Sequence, residues 1–473
     1  MTSNYIGPKG YTIYKSSITP QQQQSIKKDL TAKPSVSYNL GDVKSFPVYR
    51  ESQQKLYVPR FYGYQHYGRN VDYHIEDGDD IDLTFTGTLR DFQHNITQAY
   101  LKSIQTNDCG LLDIPCGFGK TVCALHIISQ IGKKTLVIVH KEFLLQQWKE
   151  RIQEFLPNAR IGTIQGPVVD IEDKDIVIGM LQTLSMKPLH VSLFQSFGLT
   201  IVDETHHMGA EVFSNALFTI VTKHMLGLSA TMKRKDGLTK IFKLFLGEVA
   251  YSMKRDTGED NVIIQQIQYL NDDEDFTTVK TNYRGQTEYS AMIKKLCEFN
   301  PRSEFILQVV TTLVADEKNK QIMILGQNKN VLHYLYQAIE HRTIDSVGYY
   351  IGGMKQKELK HSESKRIILG TYAMAEEALD IKTLSCLVLV TPRTDVTQAV
   401  GRILRVKHEQ AIVVDIIDLH PTFQKQAKKR ESFYKRNHYK IIQTTNHDYP
   451  NFQEYSYKTK KQKPKEYKCL IQL

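Results

Sequence analysis

The sequence predicts an α/β fold with two doubly wound lobes in tandem, a small α+β domain before them and a basic extension after them. From Leu89 onward, short apolar runs alternate with amphipathic stretches, which is the pattern of parallel strands joined by helices. Two such sets follow one another, and polar breaks at 271–275 and 284–285 separate them. We therefore predict an accessory domain over 1–85, lobes over 86–255 and 256–420, and a basic aromatic tail over 421–473.

The predicted elements follow in chain order. Residues 1–85 are rich in tyrosine and polar breaks, which indicates a small α+β domain. In the first lobe we expect strands at 110–114, 135–140, 175–180, 199–203 and 225–229, with helices at 121–130, 142–155 and 214–221. In the second lobe we expect strands at 322–326, 346–351, 366–371, 386–390 and 411–416, with helices at 302–314, 331–339 and 397–404.

The positive charge is concentrated at the C-terminal end. The whole chain has 61 Lys and Arg against 51 Asp and Glu, a formal net charge of +10. Residues 421–473 contain 13 Lys and Arg against 4 Asp and Glu, a net charge of +9, with eight aromatic residues from Phe433 to Tyr467 interspersed. Cations contact phosphates and rings stack on bases, so this composition suits a nucleic-acid strand. The alternative is that 424–439 packs as a helix with solvated lysines.

The cysteines and the apolar runs exclude several classes of protein. The six cysteines are scattered without a C-x-x-C pair, which argues against a disulfide framework or a zinc site and favours a reducing compartment. No run approaches the roughly 18 consecutive apolar residues of a membrane span. We therefore expect a soluble intracellular protein with no membrane partner.

A glycine-rich turn, Leu112-Asp-Ile-Pro-Cys-Gly-Phe-Gly-Lys-Thr121, lies between a predicted strand and a predicted helix. Gly117 and Gly119 allow backbone N–H groups to approach an anion, the helix N-terminus attracts negative charge, and Lys120 and Thr121 can reach terminal phosphates and Mg²⁺. The full P-loop pattern has a glycine where this chain has Ile114. Alone, the segment is more typical of an ordinary strand-to-helix turn.

Two carboxylates, Asp203 and Glu204, end another apolar strand about 80 residues downstream. Asp203 is placed to hold Mg²⁺ through water, and Glu204 to orient and deprotonate the water that attacks a γ-phosphate. Acidic residues at a strand end also commonly cap a helix. The P-loop-like turn in the same lobe makes the catalytic interpretation the better one.

The segments Leu89–Gln93, Ile114–Thr121, Asp203–His206, Ser229–Thr231, Thr371–Asp380 and Gln398–Arg405 occur in this order along the chain. Together they resemble the motifs of superfamily 2 helicases over about residues 86–420. The chain is most similar to the XPB-like and phage recombination branch, in which Pro-Cys-Gly-x-Gly-Lys is an accepted P-loop variant. Within that branch it looks most like the DEAD/DEAH-type helicases of large nucleocytoplasmic DNA viruses.

The resemblance implies two RecA-like P-loop lobes, ATP and Mg²⁺ as cofactors, and a role for each matching residue. The catalytic residues would be Glu204, Gln398, Arg402 and Arg405. ATP would contact Gln93, Pro115, Cys116, Gly117, Phe118, Gly119, Lys120 and Thr121, with Arg90 and Phe92 beside the adenine. Thr121 and Asp203 would hold the metal; Gln182, Thr183 and Thr371 would contact nucleic acid; His206, Ser229, Thr231 and Asp380 would couple the lobes.

Some positions have competing interpretations. Phe143, Gln147 and Trp148 follow a strand where these helicases have a strand-contacting motif, but we expect the sole tryptophan to be core. Between Thr371 and Asp380 the family usually has glycines that this chain lacks, so assignments there are open.

The resemblance implies an ATP-dependent helicase that moves on DNA or RNA, with DNA favoured, in viral transcription, replication or repair. We expect a monomer that works with the transcription machinery, in the virion and host cytoplasm. The alternatives are a double-stranded DNA translocase without strand separation, a nuclease-coupled restriction subunit and a catalytically dead binding module. The restriction subunit is disfavoured because the sequence after residue 420 lacks the acidic cluster that a nuclease metal site would need. The catalytically dead module is disfavoured because Lys120, Asp203, Glu204 and Arg405 are all intact.

Overall fold

The structure, a computed structural model, describes residues 3–34, 45–115, 117–205, 208–230, 238–253, 262–316, 321–377, 381, 383–403 and 410–455. The chain divides into two compact units, Met1–Arg255 and Asp256–Leu473. Each contains one large, mostly parallel sheet with helices packed against it, which confirms the predicted α/β class. Among the described residues, no helix combines the length and the apolar character that crossing a membrane requires.

The large sheet of the first unit positions the P-loop and the acidic pair. Its strand order is β11-β10-β12-β9-β13-β14-β8-β15, and all neighbours are parallel except the β10–β11 hairpin. The strands are β8 Cys109–Asp113, β9 Thr135–Val139, β10 Ile161–Gln165, β11 Val168–Asp170, β12 Ile176–Met180, β13 Leu199–Val202, β14 His224–Ser229 and β15 Val249–Ser252. The helices are α3 Asp91–Asn107, α4 Lys120–Ile131, α5 Glu142–Phe155, α6 Leu181–Met186, α7 Ala210–Leu217 and α8 Thr239–Leu246.

The N-terminal segment forms a smaller layer in the same unit. Its five-stranded sheet has the order β5-β6-β2-β1-β7, with β3 and β4 paired separately. The strands are β1 Tyr5–Gly7, β2 Gly10–Tyr14, β3 Thr31–Ala32, β4 Phe46–Pro47, β5 Arg50–Glu51, β6 Lys55–Val58 and β7 Asp72–Tyr73; the helices are α1 Pro20–Asp29 and α2 Arg60–Tyr67. Thr19 caps α1 through a capping box with Gln22, as expected for a Thr-Pro-Gln-Gln start.

A buried arginine connects this layer to the large sheet. Arg60, only 3% exposed, donates to the carbonyl oxygens of Thr222 and Lys223 at 2.5 and 2.9 Å, and its guanidinium lies 3.1 Å from Cys109 Sγ. Cys109 begins β8, the strand that leads into the P-loop. One hydrophobic core therefore spans both layers, with Tyr11 and Leu111 in the same cluster.

The second unit repeats the doubly wound design, with the order β18-β19-β17-β20-β21-β16-β22-β23. The strands are β16 Val262–Tyr269, β17 Ile322–Gly326, β18 Val347–Tyr350, β19 Ile367–Thr371, β20 Cys386–Leu389, β21 Ala411–Asp418, β22 Lys440–Thr445 and β23 Gln453–Glu454. The helices are α9 Glu274–Thr277, α10 Tyr289–Glu298, α11 Asn300–Ala315, α12 Lys329–His341, α13 Gln356–Glu363, α14 Tyr372–Glu377, α15 Thr397–Ile403 and α16 Pro421–Arg436.

Residues 421–455, the described part of the predicted tail, are built into the second unit. The helix α16 buries Phe423 and Tyr434, and β22 pairs in parallel with β16 inside the sheet. Arg430, on α16, contacts Asp415 of β21 through Nε and Nη2 at 2.8–3.1 Å. The remaining tail residues, 456–473, lie outside the described residues.

Most predicted elements agree with the structure to within one or two residues at the strands. The helix predicted at 214–221 is wrong at both ends, since α7 spans Ala210–Leu217. The chain turns there, because Thr219 and Ile220 both donate their N–H groups to the Ala216 carbonyl. The β10–β11 hairpin, the strand β16 and the helix α3 were not predicted, although Phe92, Ile96, Tyr100 and Ile104 recur every four residues in α3, a helical period.

Candidate ATP-hydrolysis site

The turn between β8 and α4 has the backbone geometry of an anion-binding loop. Gly117 has φ +91° and Gly119, the N-cap of α4, has φ +78°, in the left-handed region that favours glycine. A Cβ atom on Gly119 would also lie 2.4 Å from Gln93 Nε2. The positive φ therefore favours glycine at position 119, and a larger residue would also displace the end of the Gln93 side chain. Cys116 lies outside the described residues.

Gln93 is fixed against this turn. Its Nε2 donates to the carbonyl oxygen of Phe118 at 3.1 Å, and its Oε1 accepts from the backbone N–H of Arg90 at 2.9 Å. The ring of Phe92 packs edge-on against that of Phe118, with centroids 5.6 Å apart. The predicted adenine-contacting segment therefore lies directly beside the loop that would hold the phosphates.

Lys120 and Glu204 meet at the carboxyl edge of the sheet. Lys120 Nζ lies 3.3 Å from Glu204 Oε1, and the two side chains are only 9% and 15% exposed. Glu204 has φ +49°, a backbone conformation that costs a non-glycine residue about 1 kcal/mol or more. Such strain is typical of a residue whose side chain has to be aimed at a particular point.

Asp203 is buried and held by two neutral donors. Trp148 Nε1 donates to its Oδ2 at 2.8 Å, and the backbone N–H of Glu204 donates to its Oδ1 at 2.9 Å. Trp148 is 1% exposed, in agreement with its interpretation as a core residue, but it also orients a carboxylate. The helix α5 packs against β9 and β12, and the sequence around Trp148 contains no signal for its contact with Asp203.

The electrostatics of Asp203 suit a cation. Burial and, to a lesser extent, the negative charge of Glu204 raise its pKa to about 6, although Lys120 opposes both effects. A metal ion would stabilise the ionised form, and carboxylate and hydroxyl oxygens are ligands that Mg²⁺ prefers. Asp203 and the Thr121 hydroxyl at the start of α4 therefore fit Mg²⁺. Within the described ranges no group of three His, Cys, Asp or Glu side chains could hold a metal alone, so phosphate or water ligands would complete the site.

Ser229 and Thr205 connect the acidic strand to the P-loop strand. Ser229 ends β14 opposite Asp113 of β8, and its carbonyl oxygen accepts from the N–H of Ile114 at 2.9 Å. Thr205 Oγ1 lies 3.4 Å from the carbonyl oxygen of Leu228. A change in the position of Glu204 can thus be transmitted to β14, because the next residue, Thr205, contacts that strand directly. The predicted coupling residues His206, Thr231 and Asp380 lie outside the described residues.

Gln182 and Thr183, the predicted nucleic-acid contacts, are in the first turn of α6, after the carboxyl end of β12. Gln182 Nε2 donates to the carbonyl oxygen of His140 at 3.1 Å, and Thr183 Oγ1 accepts from the N–H of Gly166 at 3.0 Å. The structure places both at the same edge of the sheet as the acidic pair, but each side chain has a protein partner.

The predicted functional residues of the second unit lie at the carboxyl edge of that unit's sheet and in the helix α15. Thr371 ends β19, and Gln398 is in α15. The backbone of Arg402 also lies in α15, but its side chain, like the whole of Arg405, lies outside the described residues. The structure thus brings together Gln93, Lys120, Asp203 and Glu204, and the arginines stay a prediction.

Comparisons with known proteins match this chain to helicases. The family model "Type III restriction enzyme, res subunit" matches residues 86–234. "Putative ATP-dependent RNA helicase L396" of Acanthamoeba polyphaga mimivirus is 34% identical over 452 residues, which cover 91% of this chain and 85% of that protein. "Putative helicase 161L" of Invertebrate iridescent virus 6 is 26% identical over 380 residues, with 76% and 83% covered.

Among solved structures, S. cerevisiae Dbp5 bound to RNA and ADP BeF3 aligns with a TM-score of 0.53 at 13% identity, covering 75% of this chain and 90% of that one. This likeness concerns the fold alone. The mimivirus relative matches nearly the full chain at a level that defines family membership. The chain belongs to the ATP-dependent helicases of superfamily 2, in the group that these viral relatives represent.

Proposed function

We propose that this protein is a nucleic-acid-stimulated ATPase that moves along one strand and unwinds duplexes. The observation that carries the proposal is the meeting of Lys120 and Glu204, 3.3 Å apart, above the N-terminus of α4 and beside a buried Asp203. An ammonium group, a helix N-terminus and a carboxylate at one sheet edge are the groups that phosphoryl transfer needs.

Each residue has a separate role in this proposal. Lys120 and the N–H groups of the 117–121 turn bind the β- and γ-phosphates, and Glu204 accepts the proton of the attacking water. Asp203 and Thr121 hold Mg²⁺, which neutralises developing charge on the phosphates when bound. Trp148 positions Asp203, because its indole N–H fixes the orientation of that carboxylate.

The second unit contributes Gln398, Arg402 and Arg405. An arginine that reaches the γ-phosphate stabilises transition-state charge, and its engagement links hydrolysis to a change in the strand-contacting residues of both units. Gln182, Thr183 and Thr371 contact the sugar–phosphate backbone, so movement is largely independent of sequence. His206, Ser229, Thr231 and Asp380 transmit the change.

We further propose DNA as the preferred strand, in a monomeric enzyme that works with the viral transcription machinery in virions and host cytoplasm. The restriction-enzyme family model supports DNA, whereas the name of the mimivirus relative supports RNA. The decisive measurement compares ATPase stimulation by single-stranded DNA, duplex DNA, RNA and an RNA–DNA hybrid at equal nucleotide concentration.

The alternative is a double-stranded DNA translocase without strand separation. A strand-displacement assay on a tailed duplex separates the two, with Glu204→Gln as the matched hydrolysis-deficient control. Displacement by the wild type supports the helicase. ATPase stimulated only by duplex DNA, with triplex displacement but no strand release, supports the translocase and contradicts unwinding.

A further inference from the structure

A short hairpin over residues 280–288 of the second unit exposes an aromatic ring. Tyr283 is 89% exposed, the most exposed of the large hydrophobic side chains in the described part of the chain. The guanidinium of Arg284 lies over its ring at 5.1 Å from the centroid. Removing so much apolar area from water would be favourable, yet the ring stays 89% exposed even with the Arg284 guanidinium beside it.

The hairpin has a defined backbone. The N–H of Asn282 donates to the Gln286 carbonyl at 2.8 Å, the N–H of Glu288 donates to the Lys280 carbonyl at 2.9 Å, and Thr281 pairs with Thr287. Asn282 Oδ1 also accepts from the N–H groups of Arg284 and Gln286 at 3.0 and 3.1 Å. The tip is thus ordered by its own hydrogen bonds, so an incoming planar group meets a positioned ring.

The base of the hairpin is anchored at the carboxyl edge of the second sheet. Tyr289, which follows the hairpin, has its hydroxyl 3.2 Å from the Pro392 carbonyl oxygen and 3.3 Å from Gln327 Oε1. Gln327 directly follows Gly326 of β17, and Gly326 is paired with Thr371. The hairpin therefore arises from the edge that carries the predicted backbone contact Thr371.

We infer that Tyr283 and Arg284 form a stacking site for an unpaired base of a single-stranded polynucleotide. An exposed aromatic ring with an adjacent guanidinium matches how proteins bind single strands, with the ring on a base and the cation on a phosphate or a neighbouring base. The site lies outside the residues to which the motifs assign contacts. The inference rests on the proposed function and adds a base contact to a set of backbone contacts.

The test compares an ordinary 12-nucleotide strand with an abasic strand of equal length and charge, as DNA and as RNA, by fluorescence anisotropy. Stacking of one base is worth about 5- to 150-fold in affinity. We expect the wild type to prefer the ordinary strand by about tenfold or more, Tyr283→Ala to lose that preference by weakening only ordinary-strand binding, and Tyr283→Phe to retain it. Gln286→Ala, at an exposed position of the same hairpin, is the matched control and should behave as wild type.

The outcomes separate this inference from the proposed function. If the wild type binds both strands equally, or if Tyr283→Ala weakens both equally, the ring does not stack on bases and the inference is overturned, while the helicase proposal stands. If the wild type binds no polynucleotide, both fail. The melting temperature of Tyr283→Ala should match that of the wild type, because the ring is exposed.

Discussion

The two units both bury carboxylates at a parallel sheet, but Asp203 of the first unit is neutralised differently from Asp415 and Asp418 of the second, whereas Asp175 of the first unit also pairs with an arginine, Arg160. In the second unit, Arg302 contacts both oxygens of Asp418 at 2.6 and 2.8 Å, with both side chains fully buried, and Arg430 contacts Asp415 in the same manner. In the first unit, Asp203 accepts only from an indole and a backbone N–H, beside a second carboxylate.

The difference distinguishes a structural charge from a functional one. Burial disfavours the charged form of Arg302, but Asp418 outweighs it and holds the arginine pKa above its usual range, so the pair stays ionised and closed. Asp203 has a raised pKa because burial disfavours its charged form and the Glu204 carboxylate repels it, and Lys120, which contacts Glu204, offsets these effects only in part. A buried carboxylate that is paired with an arginine already has its charge balanced, whereas a buried carboxylate without such a pair, like Asp203, can bind a cation.

The largest expected effect is on hydrolysis in the first unit. Glu204→Gln should bind ATP but turn over about 10²–10⁴-fold more slowly, because the proton acceptor is lost. Lys120→Ala should instead abolish ATP binding. Single-turnover hydrolysis and equilibrium binding of a fluorescent nucleotide measure the two effects separately, and wild-type turnover by Glu204→Gln would contradict the assignment.

The next effect is on stability in the second unit. Arg302→Met leaves Asp418 buried without its partner and should lower the free energy of unfolding by about 3–5 kcal/mol. Arg302→Met combined with Asp418→Leu should recover most of that loss. Urea denaturation measures both variants, and a single mutant as stable as the wild type would refute the structural role of the pair.

In contrast to the destabilising Arg302→Met change, Asp203→Asn should stabilise the folded protein at neutral pH relative to the wild type. The pKa of Asp203 in the folded protein, about 6, exceeds the usual value, so the folded state binds the carboxyl proton more tightly than the unfolded state does. The stability that the protonated carboxyl group contributes is therefore lost as pH rises from about 4 through 6. The stability of Asp203→Asn relative to wild type should therefore be greater at pH 7.5 than at pH 5, by on the order of 1–3 kcal/mol. A pH-independent difference in denaturation midpoint would exclude the raised pKa.

Trp148→Phe sharpens the comparison without removing a charge. The indole hydrogen bond lowers the pKa of Asp203 against the dominant effect of burial, so its loss should move the acidic limb of the ATPase pH profile upward from about 6. At limiting Mg²⁺ we expect about tenfold lower activity, from one lost bond to a charged acceptor. Saturating Mg²⁺ should restore most of it, whereas a loss equal at all Mg²⁺ concentrations would indicate misfolding.

The smallest effect concerns the end of the chain. Residues 456–473 contain six lysines and one glutamate, a net charge of +5. Truncation after Tyr455 should leave the melting temperature unchanged and reduce the slope of log K against log salt by about 2, if about three of these lysines contact single-strand phosphates. An unchanged slope would show that they are only solvated. A truncation after Leu419 should unfold the second unit, since it removes Arg430 and β22.

The sequence predicted what depends on local spacing, and missed what depends on distant contacts. Lys120, Gly119, Asp203 and Glu204 lie in short motifs at strand ends, where residue type and neighbourhood together indicate the chemistry. The contact between Trp148 and Asp203 joins residues 55 positions apart, and that between Arg302 and Asp418 joins residues 116 apart. No periodicity reports such pairs, because they arise only when separate strands and helices pack into one core.

The buried position of Arg60 has a practical consequence for anyone who wants to produce the motor alone. A fragment that runs from the first to the last motif would lack Arg60, which contacts Cys109 at the start of β8. It would also lack α16, whose Arg430 contacts Asp415 of β21. Such a fragment would contain every motif and lack part of both cores. For expression and crystallisation, the smallest workable unit is therefore set by these packing contacts, and it has to include Arg60 on its N-terminal side and α16 with β22 on its C-terminal side.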